Sequence, residues 1–217
     1  DALDARGFDN NYVATYFPDV EIDDAENTRR VKVPPSVPAL AALAFNDKVA
    51  FPWFAPAGFN RAALGFVKNV DVRLSAPDRD DLYDSRINPI ATFPRTGFVI
   101  FGQKTMQQAK SALDRVNVRR LLNEVKRIVG DIAQELLFEP NTPQTRQRFV
   151  SQAVLQLGIV QAQAGLENFK VVMDGSNNTQ KDVEENKLNG TIVVVPTRTV
   201  EFIAIDFIIT NAGVEFV

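Results

Sequence analysis

One stretch limits what this chain can fold into more than any other. Val118, Leu121, Leu122, Val125, Ile128, Val129, Ile132, Leu136 and Leu137 recur at spacings of three and four, which puts them on one stripe of an amphipathic helix. The spacing predicts a helix from about Val116 that stops before Pro140. A second helix opens at Pro143 and runs to Gly165: Thr142 can cap it, Pro143 suits a first helical position, and Gly165 suits an end. The link from Glu139 to Thr142 is short enough to make the two helices antiparallel neighbours.

Around this hairpin the chain reads mostly as strand and loop. Tyr12 to Phe17 predicts a strand ending at Pro18, followed by an acidic loop over Glu21 to Glu26 and a short strand over Val31 to Val33. Pro34-Pro35-Ser36 opens an alanine-rich helix with Ser36 as N-cap, and residues 49–62 read as loop. Val67 to Leu74 alternates like a strand, Asp78 to Ser85 like a short helix, and Gly97 to Gly102 like a buried strand. Residues 105–112 are expected to form a helical turn or two. Phe169 to Met173, Gly190 to Val195 and Val200 to Thr210 are strands by β-branched content. The expected class is α+β: a mixed β-sheet packed with two long antiparallel helices and shorter helices, with extended terminal arms. Residues 1–30 are expected to be an extended N-terminal segment, and residues 31–217 the main domain.

Composition narrows the chemistry. There is no cysteine and no histidine among the 217 residues, so disulfides, thiolate metal sites, Ser-His-Asp triads and histidine acid–base schemes are excluded. A net charge of −3 argues against a dedicated nucleic-acid binder, and no apolar run reaches the ~20 residues of a membrane helix. The opening Asp1-Ala2-Leu3-Asp4 has no basic and apolar leader pattern, and Asp1 is expected to be a boundary within a longer chain.

Four motifs invite functional readings. Gly97 to Thr105 looks like a phosphate loop, but Gln103 stands where the Walker pattern needs lysine, and the residues between the glycines are bulky and apolar. Asp174 to Glu185 places oxygen side chains at EF-hand positions, yet Thr179 replaces the glycine of the turn and the preceding flank reads as strand; Asx-type caps at Asn177 and Asn178 are the simpler account. Asp78, Asp80, Asp81 and Asp84 could serve a divalent ion, or could simply favour the start of a short helix. Arg115, Arg119, Arg120, Lys126 and Arg127 make the first long helix basic, either as a solvated face or as a surface that docks onto an acidic partner. At the C-terminus, Asn211-Ala212-Gly213 releases the alternating tail Val214-Glu215-Phe216-Val217, an apolar edge suited to strand donation into a neighbouring sheet.

A series of short motifs carries a family resemblance. Pro52-Trp53-Phe54-Ala55-Pro56-Ala57-Gly58, Asp80-Asp81-Leu82-Tyr83, Ile87-Asn88-Pro89-Ile90 and Phe101-Gly102-Gln103-Lys104-Thr105 stand in the first half. Val116-Asn117-Val118-Arg119-Arg120-Leu121, Phe138-Glu139-Pro140-Asn141, Asn177-Asn178-Thr179 and Glu201-Phe202-Ile203 follow. In this order the chain resembles the C-terminal part of contractile bacteriophage tail sheath proteins, from about Tyr12 to Phe216. The resemblance implies a structural subunit, not an enzyme, in a helical sleeve around the tail tube, which contracts to drive the tube through the host envelope. It implies adjacent sheath subunits, the tail tube protein, and baseplate and tail terminator proteins as partners, without nucleic acid, membrane or cofactor. It further implies assembly in the host bacterial cytoplasm and residence in the virion tail. Val214, Glu215, Phe216 and Val217 would be the donated strand, and Arg115, Arg119, Arg120, Lys126 and Arg127 the tube-facing helix. The alternative from the residues themselves is a divalent-metal-dependent carboxylate enzyme or a calcium-binding module.

Overall fold

The structure is a computed structural model that describes residues 7–202 apart from 25, 27 and 28. Its elements in chain order are β1 (Thr15–Phe17), β2 (Val20–Asp24), β3 (Arg29–Val33), α1 (Ser36–Val49), β4 (Val67–Val70), α2 (Ala76–Asp84), β5 (Ile87–Phe93) and β6 (Gly97–Ile100). A 3₁₀ turn at Ala112–Asp114 leads into α3 (Val116–Gln134), then α4 (Pro143–Ala162), β7 (Leu166–Val172), α5 (Gln180–Glu184) and β8 (Thr191–Pro196). The class is α+β as expected, with the β-structure divided among three small sheets.

In the first sheet β5 lies between β1, its parallel partner, and β6, its antiparallel one. In the second, β2 lies between β3 and β4, antiparallel to both. The acidic stretch expected to be loop is thus a central strand. Val20 and Ile22 alternate inward, while Glu21, Asp23 and Asp24 stand opposite Lys32, Arg30 and Arg29 of β3. Opposite charges across the pair remove the penalty that acidic residues would otherwise bring to a strand. Within residues 1–30, Thr15–Phe17 pairs with β5, and Val20–Asp24 pairs with β3 and β4.

Val20, Ala39, Ala42, Leu64, Val67, Val70, Ile90 and Ile100 form the core under these two sheets and α1. The small alanines of α1 allow the helix to lie close against them. Ser36 is the first helical residue, not the cap: Pro35 occupies the N-cap, with no side-chain cap bond.

The second half is the helical hairpin with β7 and β8 laid on it. Leu121 and Val125 pack with Leu157 and Val160 at one end, and Ile132 and Leu136 with Phe149 and Ala153 at the other. Early α3 therefore meets late α4, the antiparallel arrangement that the short link requires. Thr142 caps α4 by accepting from the Thr145 amide at 3.2 Å. Leu137, expected on the buried stripe, points outward because α3 ends at Gln134 and the chain tightens into a turn. At the far end of α4 the left-handed residue is Ala164 (φ 58°) rather than Gly165. Gly165 serves packing instead: a Cβ there would lie 2.7 Å from Val160 Cγ1 and 3.1 Å from the Trp53 ring.

Candidate functional site

The first turn of α3 and the extended segment that precedes it form a common seat for both ends of the described chain. Arg115, at the N-cap of α3, directs its guanidinium fork at Glu201: Nε donates to Oε1 at 2.7 Å and Nη2 to Oε2 at 2.9 Å. Tyr83, from α2, donates its hydroxyl to Glu201 Oε2 at 2.9 Å. Gln103 donates through Nε2 to Thr199 Oγ1 at 2.9 Å and to Glu201 Oε1 at 3.1 Å. A bidentate arginine–carboxylate pair is among the stronger and more directional charged contacts. Only 24% of the Arg115 side chain and 17% of the Glu201 side chain remain exposed, so solvent screens this pair less than a surface one.

The electrostatics hold these groups in the protonation states the contacts need. Burial, and then the nearby Glu201 charge, push the Tyr83 hydroxyl well above its ordinary value, keeping it a donor. Burial alone would lower Arg115; the hydrogen bond to Glu201 and the charges of Glu201 and Asp114 outweigh it and raise the pKa. Lys104 is lowered by burial, partly offset by Asp84. Its ammonium donates to the Tyr83 carbonyl at 2.7 Å and lies 4.0 Å from the Tyr83 ring centroid, which braces the tyrosine from behind.

Asn88 fixes the floor of the seat. It is fully buried; Nδ2 donates to the Thr15 and Lys104 carbonyls at 3.0 and 2.9 Å, and Oδ1 accepts from the Lys104 amide at 2.7 Å. Gly102 has no room for a side chain, because a Cβ would lie 2.9 Å from Asn88 Oδ1 and 3.0 Å from the Tyr83 ring. The motif Gly97 to Thr105 is therefore a strand and a clamp, not an anion loop: β6 ends at Ile100 and Gln103 reaches the C-terminal segment.

One helical turn on, Arg119 holds the other end of the chain. It is buried, donates from Nη1 to Asn11 Oδ1 at 3.1 Å, and stacks 4.3 Å from the Tyr12 ring centroid. Asn11 in turn donates to Gln107 Oε1 at 3.1 Å, and Asp9 Oδ1 accepts from the Gln108 amide at 2.9 Å. Residues 103–108 thus grip the C-terminal segment at Gln103 and the N-terminal segment at Gln107 and Gln108.

Of the five cations expected to form one basic face, Arg115, Arg119 and Arg120 are turned inward, whereas Lys126 and Arg127 are exposed. Arg115 and Arg119 hold the chain ends, Arg120 pairs with Asp47 at the end of α1, and Arg127 pairs with Glu124 and Asp131 of its own helix. Lys126 is exposed. Val214, Glu215, Phe216 and Val217 lie outside the described residues, as does the expected strand from residue 203 onward. The Asp78 carboxylate is engaged in a capping box with Ser75, and Asp84 faces Lys104 at 3.7 Å. No group of three or more histidines, cysteines or carboxylates capable of holding a metal occurs among the described residues. In Asp174 to Glu185 the oxygens cap a turn: Asp174 accepts from Ser176, Asn178 bridges the Asp174 and Asn189 carbonyls, and Asp182 caps α5 with Thr179.

Tyr83, Gln103 and Glu201 had no assigned role in the sequence. The available signal was Glu201 itself, a lone carboxylate at the head of an apolar run, where strand propensity drew attention away from it. Nothing in the sequence pairs it with Arg115, 86 positions away.

The described residues form an α+β body whose N- and C-terminal segments are seated side by side at the start of α3. The comparisons place it. Residues 108–210 match the family described as phage tail sheath C-terminal domain. The tail sheath protein of Vibrio phage KVP40 is 37% identical over 96% of this chain, which spans 30% of that protein. The cryo-EM structure of the anti-feeding prophage baseplate contains a chain with 26% identity and a TM-score of 0.82, over 92% of this chain and 55% of that one. The contracted helical sheath of the same prophage gives 26% identity and a TM-score of 0.80, over 91% and 56%. This chain belongs to the phage tail sheath family. It spans about a third of the length of the curated relative and just over half of each solved one.

Proposed function

We propose that this chain is the C-terminal part of a contractile tail sheath subunit, which polymerises as a helical sleeve around the tail tube and contracts to drive the tube through the host envelope. The carrying observation is the joint one: a sheath-family body whose C-terminal segment is clamped at Glu201 and continues past it into an apolar tail. The role is structural, not enzymatic, and the location is the virion tail after assembly in the host cytoplasm. Contraction then follows from lattice physics. A head-to-tail contact that does not close builds an open helix, and two packings separated by a modest gap of a few kcal/mol supply the stroke when summed over many subunits.

Neighbouring subunits are the primary partners. Val214 to Val217 is the strand to be donated, and the β7–β8 hairpin is the acceptor. Among the described residues that sheet has two strands only, with Val193 and Val195 exposed on it, so both edges offer unpaired backbone groups to an incoming chain. The tube, baseplate and terminator proteins are further partners. Arg115, Arg119, Arg120, Lys126 and Arg127 remain the tube-facing candidates, with the exposed Lys126 and Arg127 carrying the external charge. The extended N-terminal segment of residues 1–30 would link this domain to the rest of the subunit.

The test is deletion of Ala212 to Val217 from the full-length subunit, followed by electron microscopy and thermal melting. The expected outcome is an unchanged melting temperature with loss of tubes. Tubes of normal yield and pitch would refute strand donation by this tail.

A further inference from the structure

We infer that Arg115 is a positioning residue for the C-terminal arm: its fork on Glu201 fixes the point and direction from which the chain beyond residue 202 reaches a second copy of the same subunit. The inference rests on the sheath reading above and adds to it the device that sets the arm's root. Three side chains from three separate parts of the fold converge on one short segment. They are Arg115 from the N-cap of α3, Tyr83 from α2 and Gln103 from the strand extension after β6. A segment that only ran past the body would not need three donors on two of its residues, Thr199 and Glu201. The last backbone hold before the clamp is the Thr197 amide on the Gly165 carbonyl at 3.2 Å.

The consequence is one of reach. Val214 follows Glu201 by about 13 residues, no more than ~45 Å of extended chain. Opening the clamp moves the root back to Thr197, which lengthens the tether by about four residues and frees its direction. Effective concentration at a neighbour falls with tether length, and more steeply when a fixed exit direction is lost. Arg119 makes the matching hold on the N-terminal segment one turn along the same helix. Force carried by either chain end is therefore delivered to α3, the best-packed helix of the fold, rather than to the exposed β7–β8 hairpin.

The experiment uses the full-length subunit carrying R115K, E201Q, or the reversal R115E with E201R, beside the deletion of Ala212 to Val217. Lysine keeps the charge but not the fork, and glutamine keeps the shape but not the charge. Amide hydrogen exchange over residues 198–202, the critical concentration for tube formation, and the melting temperature are read together. R115K and E201Q are expected to speed exchange at 199–202 by about tenfold and to raise the critical concentration at least about threefold. The melting temperature stays unchanged, and the reversal restores both other readouts. Unchanged exchange in both single variants overturns the inference. So does normal tube formation in R115K and E201Q while the deletion still abolishes tubes, and in that case strand donation stands. Normal tubes after the deletion overturn strand donation itself, and this inference with it.

Discussion

Trp53 joins the two halves of the molecule through one side chain. It leaves a loop of the first half and packs among Leu121, Val125, Leu157, Val160 and Leu166 of the second. Its ring stacks on Phe51 at 5.0 Å, Nε1 donates to the Gln163 carbonyl at 3.1 Å, and its carbonyl accepts from Asn117 at 3.2 Å. W53A should cost about 3–5 kcal/mol, read as a shift in the urea midpoint, because a cavity opens where Gly165 had left room only for this ring. Tyr16 makes a second prediction at this scale. Burial, partly countered by the Arg120 charge, pushes its hydroxyl up to about 12 from 10.0. The unfolded chain therefore releases this proton first. Stability is full below pH 10 and falls as pH rises towards 12, by about 2–3 kcal/mol from this group. Chemical denaturation at pH 9 and pH 11.5 should show the drop, and Y16F should reduce it, leaving the share that belongs to Tyr83.

Capping decides the short elements. Ser75 with Asp78 and Thr179 with Asp182 form reciprocal boxes at the starts of α2 and α5. Each carboxyl is held below its ordinary range, first by the side-chain hydrogen bond from the Ser or Thr and then by that residue's backbone amide. Depressed carboxyls add stability above the unfolded value of 3.8 and lose it as pH falls through the lower folded value. T179A should cost about 1 kcal/mol at neutral pH, and the difference between T179A and the parent should shrink on acidification below pH 4, as equilibrium unfolding would reveal. These boxes were half legible: the acidic residues near Asp78 pointed to a helix start, whereas Asp182 was buried in the resemblance to a calcium loop. The strand β2 was not legible, because its acidic residues suit a strand only once β3 supplies Lys32, Arg30 and Arg29 opposite them.

At the scale of the whole molecule the proposed arm and the body are separable. Among the described residues the members of the buried clusters all precede Pro196, and on the strand-donation proposal removal of Ala212 to Val217 should hold the melting temperature while tubes are lost. The sequence by itself determined the helical hairpin, since a 3.6-residue period, a capping Thr142 and a short link are local and admit one solution. It also determined the absence of thiol and imidazole chemistry, and the order of motifs that carries the family. The tertiary structure decided what those motifs are for. Tyr83, Gln103, Arg115 and Glu201 are separated by up to 118 positions and meet only because β5, β6 and α3 bring their segments to one place. It also turned a row of cations that looks like one basic face into four intramolecular holds. Periodicity records which face of a helix is apolar, but a charge carries no record of its partner until the chain folds around it.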